Sequence, residues 1–447
     1  MPSPLPSHPL WNQPLILPEH RSLVFKHVDK FCDQYLPRQF LAWTWEHVCS
    51  HMDMSTSAGV YFKGTKQEVV DRGWEYIERH MHWWSFQSKD LFPCKFAVKA
   101  KCHRKSEDKL RLIWVYPFQQ VLHEGSLAFP LYEHFKTLKS TPMMFGDNVL
   151  FRLSQLSGNS KFDRVTLDWH AFDQHVPGWL SYHILQQIGS RVVGYEKGGY
   201  KWSRHSWLKR TADYFIHTPF LSEKGDVQHK HTGIPSGSPF TQLVGSIANY
   251  AVVQAALELL GVHTLGHLVL GDDTMFSVYT RWNNQLLTKF GRVCYMLAGF
   301  ILSENKCVLS STSQLDFIGY EFYRGEMRPD IGKFLFKFYY ASRPLTPEQA
   351  VVRACSLYAI GGWGCKYIRS ILTHLVSYAP YVEAQDVDKD TQAKFHYVLG
   401  LPYSKEDIVA LARFYVNKLP NPDPHYMPDL PAILVALKLL GTNLCLF

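Results

Sequence analysis

The sequence contains no Cys-x-x-Cys pair. Its nine cysteines are scattered and odd in number, which argues against a secreted disulfide framework and makes reduced thiols the default. His80, His82, Cys94, Cys102 and His103 fall near one another in the chain, but their spacing matches no ordinary zinc finger or knuckle, so they are read as structural or incidental. The chain also lacks a clean membrane-spanning run. The apolar stretch Leu430 to Phe447 is short and interrupted by Pro431, Lys438, Thr442 and Asn443, and a buried amphipathic helix is expected there. The beginning, Met1-Pro2-Ser3-Pro4-Leu5-Pro6 followed by Pro9, Pro14 and Pro18, has neither the basic start nor the apolar core of a signal peptide. It reads as a Pro-rich arm extended over a surface. No internal repeat is present, which excludes solenoids and propellers.

What the sequence does have is size, aromatic rings and a mild positive charge. With 447 residues it can bury a large core, and two or three domains or subdomains are expected. It is 46% hydrophobic, 19% charged and 15% aromatic, with a formal net charge of +8. A basic, aromatic-rich chain suits a polyanionic partner whose bases can stack.

Four stretches carry the chemistry. In the first, His267 to Leu270 and Thr274 to Val278 read as two buried strands, and Gly271-Asp272-Asp273 reads as the turn joining them. That turn is either a solvated Asp-rich hairpin or a divalent-metal site, since hard Mg²⁺ prefers carboxylate oxygens. In the second, Asp163 to Asp168 reads as a strand closed by Asp168, with Asp173 five positions on; an N-cap is the plainer role for Asp168. In the third, the loop Thr232 to Pro239 opens a long helix, with Ser238 placed to cap it and Pro239 at its first position. Phe240, Leu243, Val244, Ile247, Ala251 and Val252 give this helix an apolar stripe, with Thr241 and Asn249 toward its polar flank.

The fourth stretch is basic. Lys95 to Lys105 is a basic run, and after an acidic break Lys109 to Tyr116 reads as a strand offering Lys109 and Arg111 on one face. This is either a solvated hairpin or a cationic wall for phosphates. Around these four, residues 177–230 read as helical and basic, and Asn283 to Ala298 as one more helix. Leu315 to Phe322 reads as an apolar strand, and the chain from about Arg343 as mostly helical.

Strand, capped helix, strand–turn–strand, helix and strand make an α+β layer that can bring separated carboxylates together at strand ends. Asp168 and Asp272 are then the natural metal ligands, with Asp273 beside them. Two cations shared by such carboxylates would serve an in-line phosphoryl displacement, with the strand around Arg111 neutralising a triphosphate. That is nucleotidyl transfer.

The ordered set resembles the motifs of viral RNA-dependent RNA polymerases. Arg111 and its neighbours resemble the fingers motif. Asp168-x4-Asp173 resembles the first palm motif, Ser236-Gly237 with Thr241 and Asn249 the second, and Gly271-Asp272-Asp273 the third. Lys306 resembles the lysine motif, Leu315 to Tyr320 the strand bordering the thumb, and Thr56-Ser57-Ala58-Gly59 a loop lining the template path. The wording Gly233-Ile234-Pro235-Ser236-Gly237-Ser238 and Ser246-Ile247-Ala248-Asn249 is most similar to the partitivirus family, in particular its smaller plant-infecting, deltapartitivirus-like members.

The resemblance implies a right-hand polymerase with fingers, a palm (antiparallel sheet on helices) and a small helical thumb. Fingers would lie at 1–160 and 177–235, palm at 161–176 and 236–330, and thumb at 331–447. It implies Asp168, Asp272 and Asp273 as ligands of two Mg²⁺ ions, a role Mn²⁺ can also fill, and Lys306 as the acid that protonates pyrophosphate. Asp173, joined by Ser236 and Asn249, would sense the ribose 2′-hydroxyl. Lys109, Arg111, Gly237, Thr241, Ser57 and Gly59 would contact nucleotide or RNA. The Asn of picornavirus-type enzymes sits one helical turn nearer the Thr, where this chain has Gly245.

The implied partners are RNA template and product, nucleoside triphosphates and a viral capsid protein, with no membrane, in a viral particle in the host cytoplasm. No P-loop, methyltransferase or protease motif accompanies the set, so a polymerase throughout is expected. The rivals are a reverse transcriptase-like polymerase, which a Tyr-x-Asp-Asp turn would favour, and a catalytically inactive polymerase-like RNA-binding protein, which would have lost a carboxylate.

Overall fold

A computed structural model describes residues 16–79, 93–101, 109–138, 140–144, 162–196, 204–310, 315–318, 320–323, 326–329, 345–359, 366–388, 391–392 and 404–417. The Pro-rich beginning, the Leu430 to Phe447 segment, and His80, His82, Cys102 and His103 lie outside them. The chain divides into two compact units, residues 1–144 with 165–309, and residues 145–164 with 310–447.

The first unit opens with helix α1 (Pro18–Tyr35), its Pro18 in the first turn, where a missing N–H leaves nothing unsatisfied. Strand β1 (Phe40–Ala42) and helices α2 (Trp45–Ser50) and α3 (Lys66–Val70) follow. Thr65 and Glu68 close α3 with a reciprocal capping box. The basic run and the expected strand after it form an antiparallel hairpin, β2 (Lys95–Lys101) and β3 (Lys109–Val115), with Lys99 opposite Arg111 and Lys101 opposite Lys109. Helix α4 (Phe118–Thr137) then leads to β4 (Asp163–Leu167), α5 (Phe172–His175) and α6 (Gly178–Ser190).

Between residues 177 and 230 the expectation was helix only. The region also holds β5 (Val192–Tyr195), which pairs parallel with β1, and the hairpin β6 (Pro219–Leu221)–β7 (Val227–His229), alongside helix α7 (Arg204–Ile216). These strands are three or four residues long, too short to show a period in sequence.

Helix α8 (Thr241–Leu259) is the axis of this unit. Its predicted stripe is fully buried, and so are Ser246 and Asn249, while Gln242, Glu258 and Leu259 are exposed. The expected polar flank is therefore absent at Asn249, which lies in the enclosed middle of the helix. Ser238 does not cap it and Pro239 is not its first residue. The chain turns through 236–240, Phe240 takes the N-cap position, and the Ser238 hydroxyl accepts the Phe240 N–H at 3.0 Å.

Strands β8 (Thr264–Leu270) and β9 (Asp273–Val278) follow as an antiparallel hairpin. Together with β4 and β10 (Val308–Ser310) they form a four-stranded sheet in the order β10-β4-β9-β8. Helix α9 (Asn284–Ala298) is capped by the Asn283 side chain and ended by Gly299 in the left-handed region.

In the second unit the expected strand Leu315 to Phe322 is instead two antiparallel strands, β11 (Leu315–Phe317) and β12 (Tyr320–Tyr323), with β13 (Glu326–Pro329) beside them. The reversal begins at Ile318 with φ +47°, and its one sign in the sequence is the neighbouring Gly319. Helices α10 (Pro347–Ala359), α11 (Lys366–Leu375) and α12 (Lys405–Asn417) bear out the helical reading of this end of the chain. Among the described residues, no helix is long and apolar enough to cross a membrane.

Candidate active site

The site is built on a two-residue turn. Leu270 pairs with Asp273, leaving Gly271 and Asp272 as the central pair, and Gly271 has φ +62°. A positive φ at the first central position is where such hairpin turns take glycine. A Cβ at Gly271 would also meet the Gln242 side-chain oxygen at 2.6 Å, but that exposed side chain can rotate aside, so the backbone conformation is the constraint. The apolar residues on either side, Leu268, Val269, Met275 and Phe276, are buried and anchor both strands. Asp272 and Asp273 are exposed at the tip.

One face of α8 holds this turn by its backbone. The Ser246 hydroxyl accepts the Gly271 N–H at 2.8 Å, and the Asn249 amide donates to the Gly271 carbonyl at 2.8 Å and the Asp272 carbonyl at 3.2 Å. Gln242, Gly245, Ser246 and Asn249 recur at helical spacing, so all four face the turn. At Gly245 the lack of a side chain matters, since a Cβ there would sit 3.1 Å from Ile234 and 3.8 Å from the Gly271 Cα.

Asp168 follows directly on β4 and is not an N-cap; that position before α5 belongs to Ala171, with φ +46°. Its strand direction continues beyond Leu167 against residues 301–303. The Ser303 N–H reaches the Asp168 carbonyl at 2.8 Å, the His170 N–H reaches the Ile301 carbonyl at 2.8 Å, and Trp169 bridges to Leu302. The Asp168 N–H points to the Cys307 sulfur at 3.4 Å, and burial pushes that thiol up to about 11, leaving it neutral at pH 7. Lys306 Nζ lies 3.4 Å from Asp168 Oδ1. With side chains 58% and 43% exposed, this pair is solvent-screened and contributes only about 0–1 kcal/mol to stability. Its interest is chemical, an ammonium donor placed on a site carboxylate.

Trp169 joins the two halves. Its indole N–H donates to the Asn249 side-chain oxygen at 3.2 Å, and Asn249 in turn holds the Gly271-Asp272 backbone. The structure thus brings Asp168, Asp272, Asp273 and Lys306 to one end of the sheet. Among the described residues, no three His, Cys, Asp or Glu side chains are already gathered as an ion-holding cluster. The donor set itself, hard carboxylate oxygens open to solvent with one already facing a cation, fits Mg²⁺.

A second group of predicted residues meets beside β3. Gly59, at φ +93°, lies where a Cβ would come within 3.1 Å of the Tyr116 carbonyl oxygen and Pro117, and its N–H reaches the Ser57 hydroxyl at 3.2 Å. Gly237 allows an even closer approach to the Trp114 carbonyl oxygen, and the Ser236 hydroxyl accepts the Trp114 N–H at 3.3 Å. Thr241 donates to the Pro235 carbonyl at 2.5 Å and the Ser238 carbonyl at 2.8 Å, closing the loop on the helix. The side chains of Lys109 and Arg111 lie outside the described residues. Asp173 is exposed, and its backbone carbonyl accepts the Ile234 N–H at 2.7 Å, which docks the 233–238 loop against α5.

Two buried ionisable residues bracket that loop. Lys230 Nζ donates to the carbonyls of Gly233 at 2.7 Å and Ile216 at 2.9 Å. Glu124 accepts from Tyr116 at 2.9 Å, from Gln120 at 2.8 Å, and from Ser238. Burial pushes Glu124 up to about 7 and Lys230 down to about 7. From about pH 4.5 to 7 the folded chain keeps a proton on Glu124 that the unfolded chain has released, so stability falls as pH rises through that window. Lys230 acts in the opposite sense, its share being lost as pH falls from about 10.5 through 7. Glu124→Gln is expected to remove the fall in unfolding temperature between about pH 5 and 7 while leaving the alkaline side unchanged, which thermal melts across that range would read.

The sequence did not single out Glu124, Lys230, Ser246 or Trp169. Ser246 and Trp169 had a usable signal, being the polar neighbour of Asn249 at i−3 and the residue after Asp168. The two buried charges had none.

Comparison with known proteins gives this constellation its class. The model of the viral RNA-dependent RNA polymerase family matches residues 17–379, and the chain belongs to that family. An RNA-directed RNA polymerase of Cryptosporidium parvum virus 1 is 27% identical over 247 residues, 51% of this chain and 44% of the relative. That of White clover cryptic virus 1 is 25% identical over 306 residues, 60% of this chain and 49% of the relative, and is of the partitivirus kind that the motif wording resembles. The matches span about half the length of these curated relatives or less. The crystal structure of the RNA-dependent RNA polymerase of a human picorbirnavirus superposes with a TM-score of 0.65 at 13% identity, covering 88% of this chain and 79% of that one. An insertion-loop deletion mutant of it gives 0.62 at 14% identity, covering 92% and 78%. The fold is that of a right-hand polymerase.

Proposed function

We propose that this chain is an RNA-directed RNA polymerase of a double-stranded RNA virus, extending an RNA product on an RNA template from nucleoside triphosphates. The observation that carries the reading is the convergence of Asp168, Asp272, Asp273 and Lys306 at one end of the β10-β4-β9-β8 sheet. Family membership and relatives named as RNA-directed RNA polymerases support it over a reverse transcriptase-like enzyme or an inactive RNA-binding protein.

In this reading fingers occupy 1–160 and 177–235, palm 161–176 and 236–330, and thumb 331–447. Asp168, Asp272 and Asp273 hold two Mg²⁺ ions, with Mn²⁺ as a substitute. Bound there, such cations polarise phosphoryl oxygens and lower the pKa of an attacking hydroxyl. Lys306, an ammonium beside Asp168, donates a proton to the leaving pyrophosphate. Lys109 and Arg111 neutralise the triphosphate, and Asp173 with Ser236 reads the ribose 2′-hydroxyl. Ser57, Gly59, Gly237 and Thr241 shape the path of template and nucleotide beside β3. The relatives from viruses support a setting in a viral particle in the host cytoplasm, with capsid protein as the partner.

Supplying all four ribonucleotides or all four deoxyribonucleotides with Mg²⁺, on RNA or DNA templates, tests this. Incorporation of ribonucleotides on RNA is expected. RNA binding without any incorporation sinks the enzyme reading, and preferred use of deoxyribonucleotides moves it to the reverse transcriptase class.

A further inference from the structure

We infer that Trp169 and Asn249 form a buried latch fixing the Asp168 strand end to the Gly271-Asp272-Asp273 turn, and that Asn249 takes no part in ribose selection. The inference rests on the polymerase reading and revises one role within it.

Three observations carry it. First, Asn249 is fully buried, and its side-chain groups are engaged: the oxygen with the Trp169 indole N–H at 3.2 Å, the amide with the Gly271 carbonyl at 2.8 Å and the Asp272 carbonyl at 3.2 Å. Turning it toward a nucleotide would leave the buried indole N–H and Gly271 carbonyl without those bonds, a penalty of about 1–3 kcal/mol for each, and would also free the more exposed Asp272 carbonyl. Second, the α8 position one turn nearer Thr241 is Gly245, packed close to Ile234, Phe172 and the Gly271 Cα. No side chain extends from that position toward α5, and the 233–238 loop meets α5 through the Ile234 N–H on the Asp173 backbone carbonyl. Third, Trp169 is 6% exposed and packs edge-on against Phe300 at 5.5 Å, which restricts the indole as it points to Asn249. Residue 168 is bonded to 169 and residue 249 to the turn backbone, so the latch sets the separation of the carboxylates without touching substrate. Trp169 and Asn249 are positioning residues.

The test uses the full chain and two variants, Trp169→Phe, which keeps the ring and removes the N–H, and Asn249→Ala. Thermal unfolding is followed while Mn²⁺ alone is titrated in. The Mn²⁺ concentration giving half the maximal stabilisation is expected to rise roughly 10- to 100-fold in both variants, the range typical of losing outer partners of metal ligands. In parallel, single-nucleotide addition with CTP or dCTP is expected to slow while the preference for ribose keeps its wild-type value. An unchanged Mn²⁺ midpoint in both variants, or a wild type that Mn²⁺ does not stabilise, overturns the latch. A collapse of ribose preference in Asn249→Ala restores the ribose role and overturns the second half. A wild type that makes no RNA defeats the polymerase reading instead, and the Mn²⁺ midpoints still decide the latch.

Discussion

Asp272→Asn is expected to abolish RNA synthesis, lowering the rate by about a thousandfold or more, while the thermal unfolding temperature stays at the wild-type value. The two halves of this expectation come from different atoms of one residue. The fold uses the Asp272 backbone, whose carbonyl accepts from Asn249 at 3.2 Å, and asparagine leaves that carbonyl in place. The side chain is exposed at the turn and supports no packing. What is lost is one negative charge at the site that would hold divalent cations. A thousandfold corresponds to about 4 kcal/mol of transition-state stabilisation, reasonable for removing a charged ligand from a phosphoryl-transfer centre. Asp273→Asn is expected to be the milder change, because Asp273 is proposed only for the assisting role. Filter-binding of labelled product alongside melting curves would check both halves, and undiminished synthesis by Asp272→Asn would defeat the metal assignment.

Gly233→Ala is expected to damage the fold and the site together, costing about 2–4 kcal/mol of stability. Gly233 has φ +81°, where an L side chain is strained by about 1–2 kcal/mol. The added Cβ would also press well inside 3.0 Å of the Asp173 carbonyl oxygen, with Gln174 backbone atoms at 3.0 and 3.2 Å. Those contacts are backbone, so they cannot rotate away as a flexible side chain would. Relief requires moving the 233–238 loop off α5, which breaks the Ile234 to Asp173 hydrogen bond and disturbs Ser236 and Gly237 against β3. Denaturant unfolding would show the loss in stability, and nucleotide titration would show a raised KM. Gly225→Ala is the useful contrast. Gly225 also has positive φ, at +85°, but nothing lies within 4 Å of its Cβ direction, so only the smaller strain cost is expected there.

The palm hairpin was legible in sequence because its signals are local. Short apolar runs containing Leu268-Val269 and Met275-Phe276 on either side of a Gly-Asp-Asp turn need no partner to be recognised. The α8 stripe was legible for the same reason, through helical periodicity from Phe240 to Val252. What failed were readings that depend on the surroundings. Asn249 looked like a surface residue because polar residues on amphipathic helices usually are. Burial of the middle of α8 turned it into a buried bracket for the turn. Ser238 looked like an N-cap from spacing alone, but its hydroxyl also reaches Glu124, more than a hundred residues away, and the chain turns before the helix begins. The split of Leu315 to Tyr323 into two strands hinges on the backbone at Ile318, beside a single Gly319 that reads as part of one strand. Glu124 and Lys230 were invisible because a buried charge has the same letter as a solvated one.

The central claim is that the bases of an RNA template direct ribonucleotide addition at the Asp168–Asp272 centre. Its most direct test is single-nucleotide extension on four RNA templates that differ only in the next templating base. Each ribonucleotide is offered alone with Mg²⁺, and Asp168→Asn protein runs in parallel. The predicted result is addition of the Watson–Crick partner alone on each template, lost with Asp168→Asn. Addition independent of the template base, or equal addition by Asp168→Asn, would contradict the account.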